Sequence, residues 1–172
     1  MVPQSSIQNL KSKIPMTLQL PSFSQTVQPE WIDHNGHMNV AYYVLAFDLA
    51  TDEFYEGLDI GITYQETGYS IFTLGMNVDY LQELFEGDLI RVETRLLDWD
   101  HKRVHYIHMM YHVEKGYLAA TNECLGMHVS YEGRKSEPFP ELVQAELEKM
   151  LAAHQTLELP KQVGRKLGIR RK

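Results

Sequence analysis

Residues 39–57, NVAYYVLAFDLATDEFYEG, form the most informative segment of the chain. Asn39 is a candidate helix N-cap, and Gly57 is a candidate residue just beyond the helix C-terminus. Apolar side chains recur at the helical period and also fill most intervening positions of the first three turns, while the acidic residues come later. The pattern predicts a long helix that other elements surround, because a helix laid on a surface would have one polar face throughout.

Four strand patterns with alternating apolar side chains follow this helix, and the short links between them require antiparallel pairing. A further strand is predicted ahead of the helix, over FSQTVQPEWI at 23–32. One strand, one long buried helix and four antiparallel strands predict an α+β fold in which a sheet curls around the helix, the hot-dog architecture. The four strand patterns cover about 72–80, 90–96, 103–113 and 117–129.

The chain divides into three parts by composition. Residues 1–22 contain three prolines and no apolar run of the kind that a secretory signal has, and they are predicted to be an N-terminal arm. The hot-dog domain is expected over 23–132. A terminal amphipathic helix over 138–154 and a basic tail are expected within 133–172.

The charges exclude some classes of partner. The formal net charge is −7, and all 23 acids lie between Glu30 and Glu158, so most of the surface would repel nucleic acid. No apolar run approaches the about 20 residues that a membrane helix needs. The single cysteine, Cys124, cannot form an internal disulfide. A cytoplasmic protein with no nucleic-acid or membrane partner is therefore expected.

Chemically active side chains recur at every second position just before the helix, at Asp33, Asn35, His37 and Asn39. Fully extended, this segment would span about 20 Å, but Gly36 allows a bend that brings the side chains together. The start of the helix offers unpaired backbone N–H groups and the positive end of its dipole. A carboxylate that attacks or activates water, beside N–H groups that hold an oxyanion, could perform acyl transfer. Turn formation and helix capping are an equally good interpretation of the same residues.

This segment resembles the active-site loop of hot-dog acyl-CoA thioesterases of the 4-hydroxybenzoyl-CoA thioesterase type. That family has an Asp, a Gly three residues later and a helix start about seven residues later, which Asp33, Gly36 and Val40 match. Asn35 and His37 also match the Asp-x-Asn-x-His-x-Asn pattern of the related acyl-ACP thioesterases. The run NGHMNVAYYVLAFDLATD, with LAATNE and the tail GRKLGIRRK, is most similar to the betainyl-CoA thioesterases of bacterial carnitine breakdown.

The resemblance implies hydrolysis of a short-chain acyl-CoA, with betainyl-CoA as one candidate, to the free acid and CoA without a cofactor. It implies that Asp33 is the nucleophile or the general base and that the Val40 N–H polarises the thioester carbonyl. Asn35 and His37 would orient the nucleophile or water. The hydratase branch of the fold has its Asp and His five residues apart with Asn-Pro between them. Asp33 and His37 are four apart with no proline, which favours hydrolysis.

Substrate-binding residues are predicted from the chemistry of CoA esters. The phosphates of CoA need basic partners, and Arg91 and Arg95 on one strand face, Lys102, Arg103 and the basic tail are the groups available. Asn39 is expected to contact substrate or only to cap the helix. Two or three aromatic rings at the site, Tyr43 among them, would suit a trimethylammonium group as well as a neutral chain. The aromatic candidates are Trp31, Tyr42, Tyr43, Phe47, Phe54, Tyr55, Tyr64, Tyr69 and Phe72.

Other reactive side chains are assigned structural roles. Four histidines lie between 101 and 112, but the β-forming residues around them predict a strand in which His108 and His112 share a face and His105 points the other way. We therefore predict no metal site. Glu123 is either a second active-site carboxylate or a paired structural acid. Cys124 is predicted to be a small buried hydrophobe.

Two functions from different classes fit the sequence: an acyl-CoA thioesterase, and a non-catalytic hot-dog domain that binds acyl-CoA or another small ligand. A homodimer or homotetramer is expected in either case. One curled sheet leaves a strand edge and an outer face that need cover. The family resemblance also implies sites that form between two subunits.

Overall fold

A computed structural model describes residues 20–169. The predicted N-terminal arm lies almost entirely outside the described residues, as does the end of the basic tail. The described part contains six strands and two helices, with short 3-10 turns at Pro29–Trp31 and Ile62–Thr67. The strands are β1 Ser22–Thr26, β2 Tyr69–Tyr80, β3 Leu89–Trp99, β4 Arg103–His112, β5 Leu118–Ser130 and β6 Lys135–Ser136, and the helices are α1 Val40–Glu56 and α2 Glu141–His154.

The strands form one antiparallel sheet in the order β1-β3-β4-β5-β2, with β6 added to β5. Helix α1 packs on its inner face, where Phe47 is fully buried in one cluster with Val92 and Met110. This arrangement confirms the predicted α+β hot-dog fold. No helix of residues 20–169 is long and apolar enough to cross a membrane.

Helix α1 begins and ends close to the predicted positions. The Asn39 side chain caps it by accepting from the Ala41 N–H at 2.9 Å. Gly57 follows the last residue but stays right-handed, and the left-handed conformation falls instead on Asp59, with φ of 58°. The prediction that other elements surround the helix on all sides is not met, because Leu45 is 40% exposed on one flank.

Two predicted boundaries are corrected by the structure. The first strand ends at Thr26 rather than near Asp33, because Pro29 has no N–H to donate to a ladder and starts a 3-10 turn. The terminal helix begins at Glu141 rather than at 138, since the chain is still extended at Pro140.

The outer face of the sheet, opposite α1, is covered by the C-terminal residues 157–165. The guanidinium of Arg95 donates to the carbonyls of Leu157 and Glu158, and Arg165 pairs with Asp79 at 2.9 Å. This cover explains why both faces of β5 are rich in apolar residues. The alternation of apolar residues along β5 predicts that Ala119 and Leu125, and with them Glu123, face the core. The structure corrects this, because Cys124 faces the α1 core and Glu123 faces outward.

The central histidines are structural. His108 is fully buried, and its two ring nitrogens lie 2.8 Å from the hydroxyls of Thr94 and Thr51. Burial lowers the pKa of His108 to about 3, so the ring is neutral at physiological pH. As predicted, His112 is buried on the same face and His105 points outward. Within residues 20–169, no three His, Cys, Asp or Glu side chains gather as a metal site requires.

Candidate active site

The segment between β1 and α1 folds into a small hairpin. Ile32 and Met38 form a β-bridge, and the Asp33 N–H donates to the His37 carbonyl at 3.0 Å. Gly36 lies at the tip with φ of +82°, a backbone conformation that residues other than glycine rarely adopt. The bend that the sequence predicted is therefore present, and it returns the chain directly into α1.

The hairpin places several of the predicted site residues on one side. Residues that lie opposite each other in an antiparallel pair project to the same face, so Asp33 and His37 face together. Asn39, two residues after His37, continues on that face and pairs with Trp31 through its N–H at 2.9 Å. The hairpin therefore explains why Asp33, His37 and Asn39 occupy alternate positions in the sequence.

Asp33 has one carboxylate oxygen that holds the loop and one available for chemistry. Its Oδ1 accepts from the Asn35 N–H at 2.7 Å. Among the hydrogen bonds within residues 20–169, none uses the other oxygen. Asp33 is half-buried, whereas Asn35 is exposed and contributes to the loop through its backbone.

The first N–H of α1 is also available. Val40 is the first helical residue, and the Asn39 cap satisfies the next donor, the Ala41 N–H. No hydrogen bond within the described residues uses the Val40 N–H. A donor at the positive end of a helix dipole can stabilise a developing negative charge.

A cavity of about 200 Å³ lies between the hairpin, the start of α1 and the end of β2. Its outer wall is fixed to the rest of the fold, because Ala119 O accepts from the N–H groups of Leu81 and Gln82. On the other side, the Met38 N–H donates to Leu84 O at 2.7 Å and ties the wall to the hairpin. The cavity is lined by His37, Met38, Val40, Tyr43, Tyr80, Leu81, Gln82 and Glu83.

Two phenols and one carboxylate set the electrostatics of this cavity. The Tyr43 hydroxyl donates to Gln82 O at 3.4 Å and the Tyr80 hydroxyl to Val40 O at 3.3 Å. Burial raises the pKa of Tyr43 to about 12, so this phenol remains a neutral donor. Glu83 Oε1 lies 3.8 Å from His37 Nε2, and its carboxylate gives the cavity lining a formal negative charge.

The structure does not bring Arg91 or Arg95 together with the hairpin. Both project from the outer face of β3, because strand alternation turns Ile90 and Val92 toward α1 instead. Arg91 pairs with Glu93 at 2.9 Å, and Arg95 is buried under the C-terminal segment. Of the other predicted bases, Arg103 pairs with Asp100, Lys102 donates to Ser136, and Arg165 of the tail pairs with Asp79.

Most of the aromatic candidates belong to the core and not to the cavity. Trp31 stacks on Tyr42 with ring centroids 5.6 Å apart, and Phe54 packs with Tyr55 in a second core cluster. Of the nine candidates, Tyr43 lines the cavity. Burial explains this outcome, since large rings along a covered helix are first of all core residues.

The sequence does not mark Tyr80 or Glu83 as a site residue. Tyr80 is the last member of the alternating β2 pattern, and Glu83 lies in the segment between β2 and β3 without a motif. Both meet the first turn of α1 only through the folded sheet, about 40 positions away in sequence. The one available signal was the joint presence of aromatic and acidic residues at the end of a predicted strand.

Two other reactive side chains, those of Glu123 and Cys124, lie outside this site. Glu123 pairs with His105 at 2.7 Å and accepts from the Gly164 N–H at 2.7 Å on the outer face, so it is a paired structural acid. Burial raises the pKa of the Cys124 thiol to about 12, which keeps it protonated and unreactive.

The chain is similar to known proteins over most of its length. The chain is 37% identical over 155 residues to the betainyl-CoA thioesterase of Pseudomonas aeruginosa, covering 90% of this chain and 98% of that protein. It is 36% identical over 150 residues to an L-carnitine dehydrogenase/betainyl-CoA thioesterase of Ruegeria pomeroyi, covering 87% of this chain and 30% of that longer protein.

A solved structure and a family profile complete the comparison. A Staphylococcus aureus protein in complex with CoA is 33% identical, covers 92% of this chain and 100% of its own, and superimposes with a TM-score of 0.84. The family profile that matches is that of the thioesterase-like superfamily, over residues 27–147, which include the hairpin, α1 and all strands from β2 to β6. The chain belongs to the thioesterase-like superfamily.

Proposed function

We propose that this protein is an acyl-CoA thioesterase that releases CoA from a short acyl group, with betainyl-CoA as its substrate. The observation that carries the proposal is the Asp33 carboxylate on a hairpin that leads directly to the Val40 N–H, since one carboxylate oxygen and this N–H have no hydrogen-bond partner within residues 20–169. The similarity to betainyl-CoA thioesterase over nearly the whole chain supports the choice of substrate.

The proposed chemistry uses Asp33 and Val40 as a pair. The thioester oxygen accepts from the Val40 N–H, which stabilises the negative charge that develops there. In one route the Asp33 carboxylate attacks the carbonyl carbon, the C–S bond breaks, CoA leaves as thiolate, and water then hydrolyses the mixed anhydride. In the other route a water attacks, its proton passes to Asp33, and the C–S bond breaks in the same way. His37 faces Asp33 across the hairpin and would orient the nucleophile or the water.

The choice of betaine as the acyl group predicts a preference for a fixed positive charge. We expect kcat/KM for betainyl-CoA to exceed that for 3,3-dimethylbutyryl-CoA, its neutral isostere, by tenfold or more, since aromatic faces attract a desolvated cation by roughly 0.5–2 kcal/mol each. Steady-state hydrolysis of both esters measures this ratio. Equal rates would contradict the betaine substrate and leave a short-chain acyl-CoA thioesterase, and no hydrolysis of either would favour the non-catalytic binder.

We also propose that the protein is a homo-oligomer assembled through β2. Within the described residues β2 pairs on one side only, with β5, and it exposes apolar side chains before and after the bulge between Thr73 and Gly75. Exposed apolar surface beside an unpaired strand edge is typical of an interface. The exposed apolar residues of β2 are Tyr69, Phe72, Leu74, Met76 and Tyr80.

Light scattering tests this assembly. We expect a mass of at least twice the 20.0 kDa of the chain. Met76→Lys should shift the mass toward that of the single chain, because Met76 is 50% exposed on β2. Leu142→Lys is the matched control, since Leu142 is 83% exposed but lies on α2. A single-chain mass for the unmodified protein would contradict the proposal.

A further inference from the structure

The cavity beside the Val40 N–H has the composition of a site for a small cation. Its volume of about 200 Å³ lies below the about 300–1,000 Å³ of sites for drug-sized ligands, so it suits a short group. Two of its walls are the rings of Tyr43 and Tyr80, whose centroids lie 5.3 Å apart at an interplanar angle of 88°. The rings meet edge to face, and Tyr80, which is 47% exposed while Tyr43 is buried, offers the more accessible ring surface to a compact cation.

Among the Asp, Glu, Lys and Arg side chains of the described residues, Glu83 alone lines this cavity. Glu83 supplies a carboxylate, and the two tyrosines present neutral rings whose faces carry negative potential. Val40 and Gln82 also line the cavity, and the carbonyl oxygen of each accepts from a phenol. No lysine or arginine lines the cavity within the described residues.

The backbone that carries Glu83 is held from three directions. The Tyr117 hydroxyl donates to Glu83 O at 2.7 Å, the residue before it is held by Ala119 O, and the residue after it accepts from the Met38 N–H. Leu84 is fully buried, which fixes the direction of the segment. A carboxylate on a rigid segment attracts a cation without the cost of ordering a mobile loop.

We propose that Glu83, together with the rings of Tyr43 and Tyr80, is the specificity determinant for a positively charged acyl group. This inference rests on the proposed function, because the acyl group reaches the cavity only if the thioester carbonyl binds at the Val40 N–H. Val40 itself lines the cavity, so a cation one methylene from the carbonyl meets the rings and the carboxylate. A neutral acyl group gains no attraction from Glu83.

The test compares two charge-removing variants on two substrates. Glu83→Gln should lower the ratio of kcat/KM for betainyl-CoA to kcat/KM for 3,3-dimethylbutyryl-CoA by about threefold to fivefold, as expected for a charge on a side chain that is 66% exposed. Most of the loss should be in KM for betainyl-CoA, with the neutral ester nearly unchanged. Glu86→Gln removes the same charge three residues away, outside the cavity lining, and should leave the ratio within twofold. Equal effects of both variants would overturn the assignment.

The rings are tested in the same assay. Tyr80→Leu should lower the ratio about tenfold, whereas Tyr80→Phe, which keeps the ring, should retain it. If Tyr80→Leu and Glu83→Gln both leave this ratio of kcat/KM values unchanged, the inference is overturned, although the thioesterase activity stands. If the unmodified protein cleaves neither ester, the proposed function fails. The two esters are then compared by titration calorimetry, where the same variants must change the ratio of the binding constants or the inference is overturned.

Discussion

Asp33→Asn is expected to lower the turnover of acyl-CoA by at least about a hundredfold, because it replaces the one charged oxygen that can attack or accept a proton. The fold should persist. Asn keeps the side-chain oxygen that accepts from the Asn35 N–H, so the hairpin retains its hydrogen bonds. Steady-state kinetics on betainyl-CoA, beside the melting temperature, measure both expectations.

Asp98→Asn is the matched control for this substitution. Asp98 is exposed, and its Oδ1 accepts from the N–H of the next residue, Trp99, so the same change is made to an acid that also bonds to the local backbone but lies on β3. We expect turnover within twofold of the unmodified protein. Near-native turnover in Asp33→Asn would contradict the role of Asp33, and His37, which faces it across the hairpin, would become the leading candidate.

The fold and the hairpin were predictable because their signals are local. Asn39 as cap, the dense apolar pattern of α1 and the glycine at the tip of the loop all act within a few residues of where they stand. The antiparallel pairs β3–β4 and β4–β5 also followed from the short links between these strands. The same reasoning was wrong for β2, which pairs with β5 and not with β3, while β1 pairs with β3.

The remaining features depend on contacts between distant parts of the chain. Glu83 meets His37 and the start of α1 across the sheet, and no local pattern marks it. The facing of β5 was predicted wrongly because both of its faces carry apolar residues, and the segment that covers the outer face lies about 40 positions further along the chain. For the same reason Arg95, which a strand pattern alone presents as free, is buried beneath the carbonyls of Leu157 and Glu158.

A second large effect is expected at the backbone N–H that stands opposite Asp33 in the proposed chemistry. Val40→Pro removes this donor without removing the helix, because proline is well tolerated at the first helical position. Asn39 has φ of −66° and ψ of 142°, within the region that a residue before proline prefers. The cap is also kept, since Asn39 accepts from the Ala41 N–H. We expect kcat to fall by about 10²–10³, the usual cost of losing one oxyanion donor.

Val40→Ala separates the donor from the side chain, because it removes the same branched group but keeps the N–H. Val40 is 58% exposed, so we expect Val40→Ala to fold normally and to remain within a few-fold of native turnover. Circular dichroism and melting temperature establish that Val40→Pro is folded before its kinetics are compared. If folded Val40→Pro turns over as fast as Val40→Ala, the Val40 N–H does not hold the oxyanion. The negative charge would then have to be stabilised by another donor, such as His37 at the mouth of the same cavity.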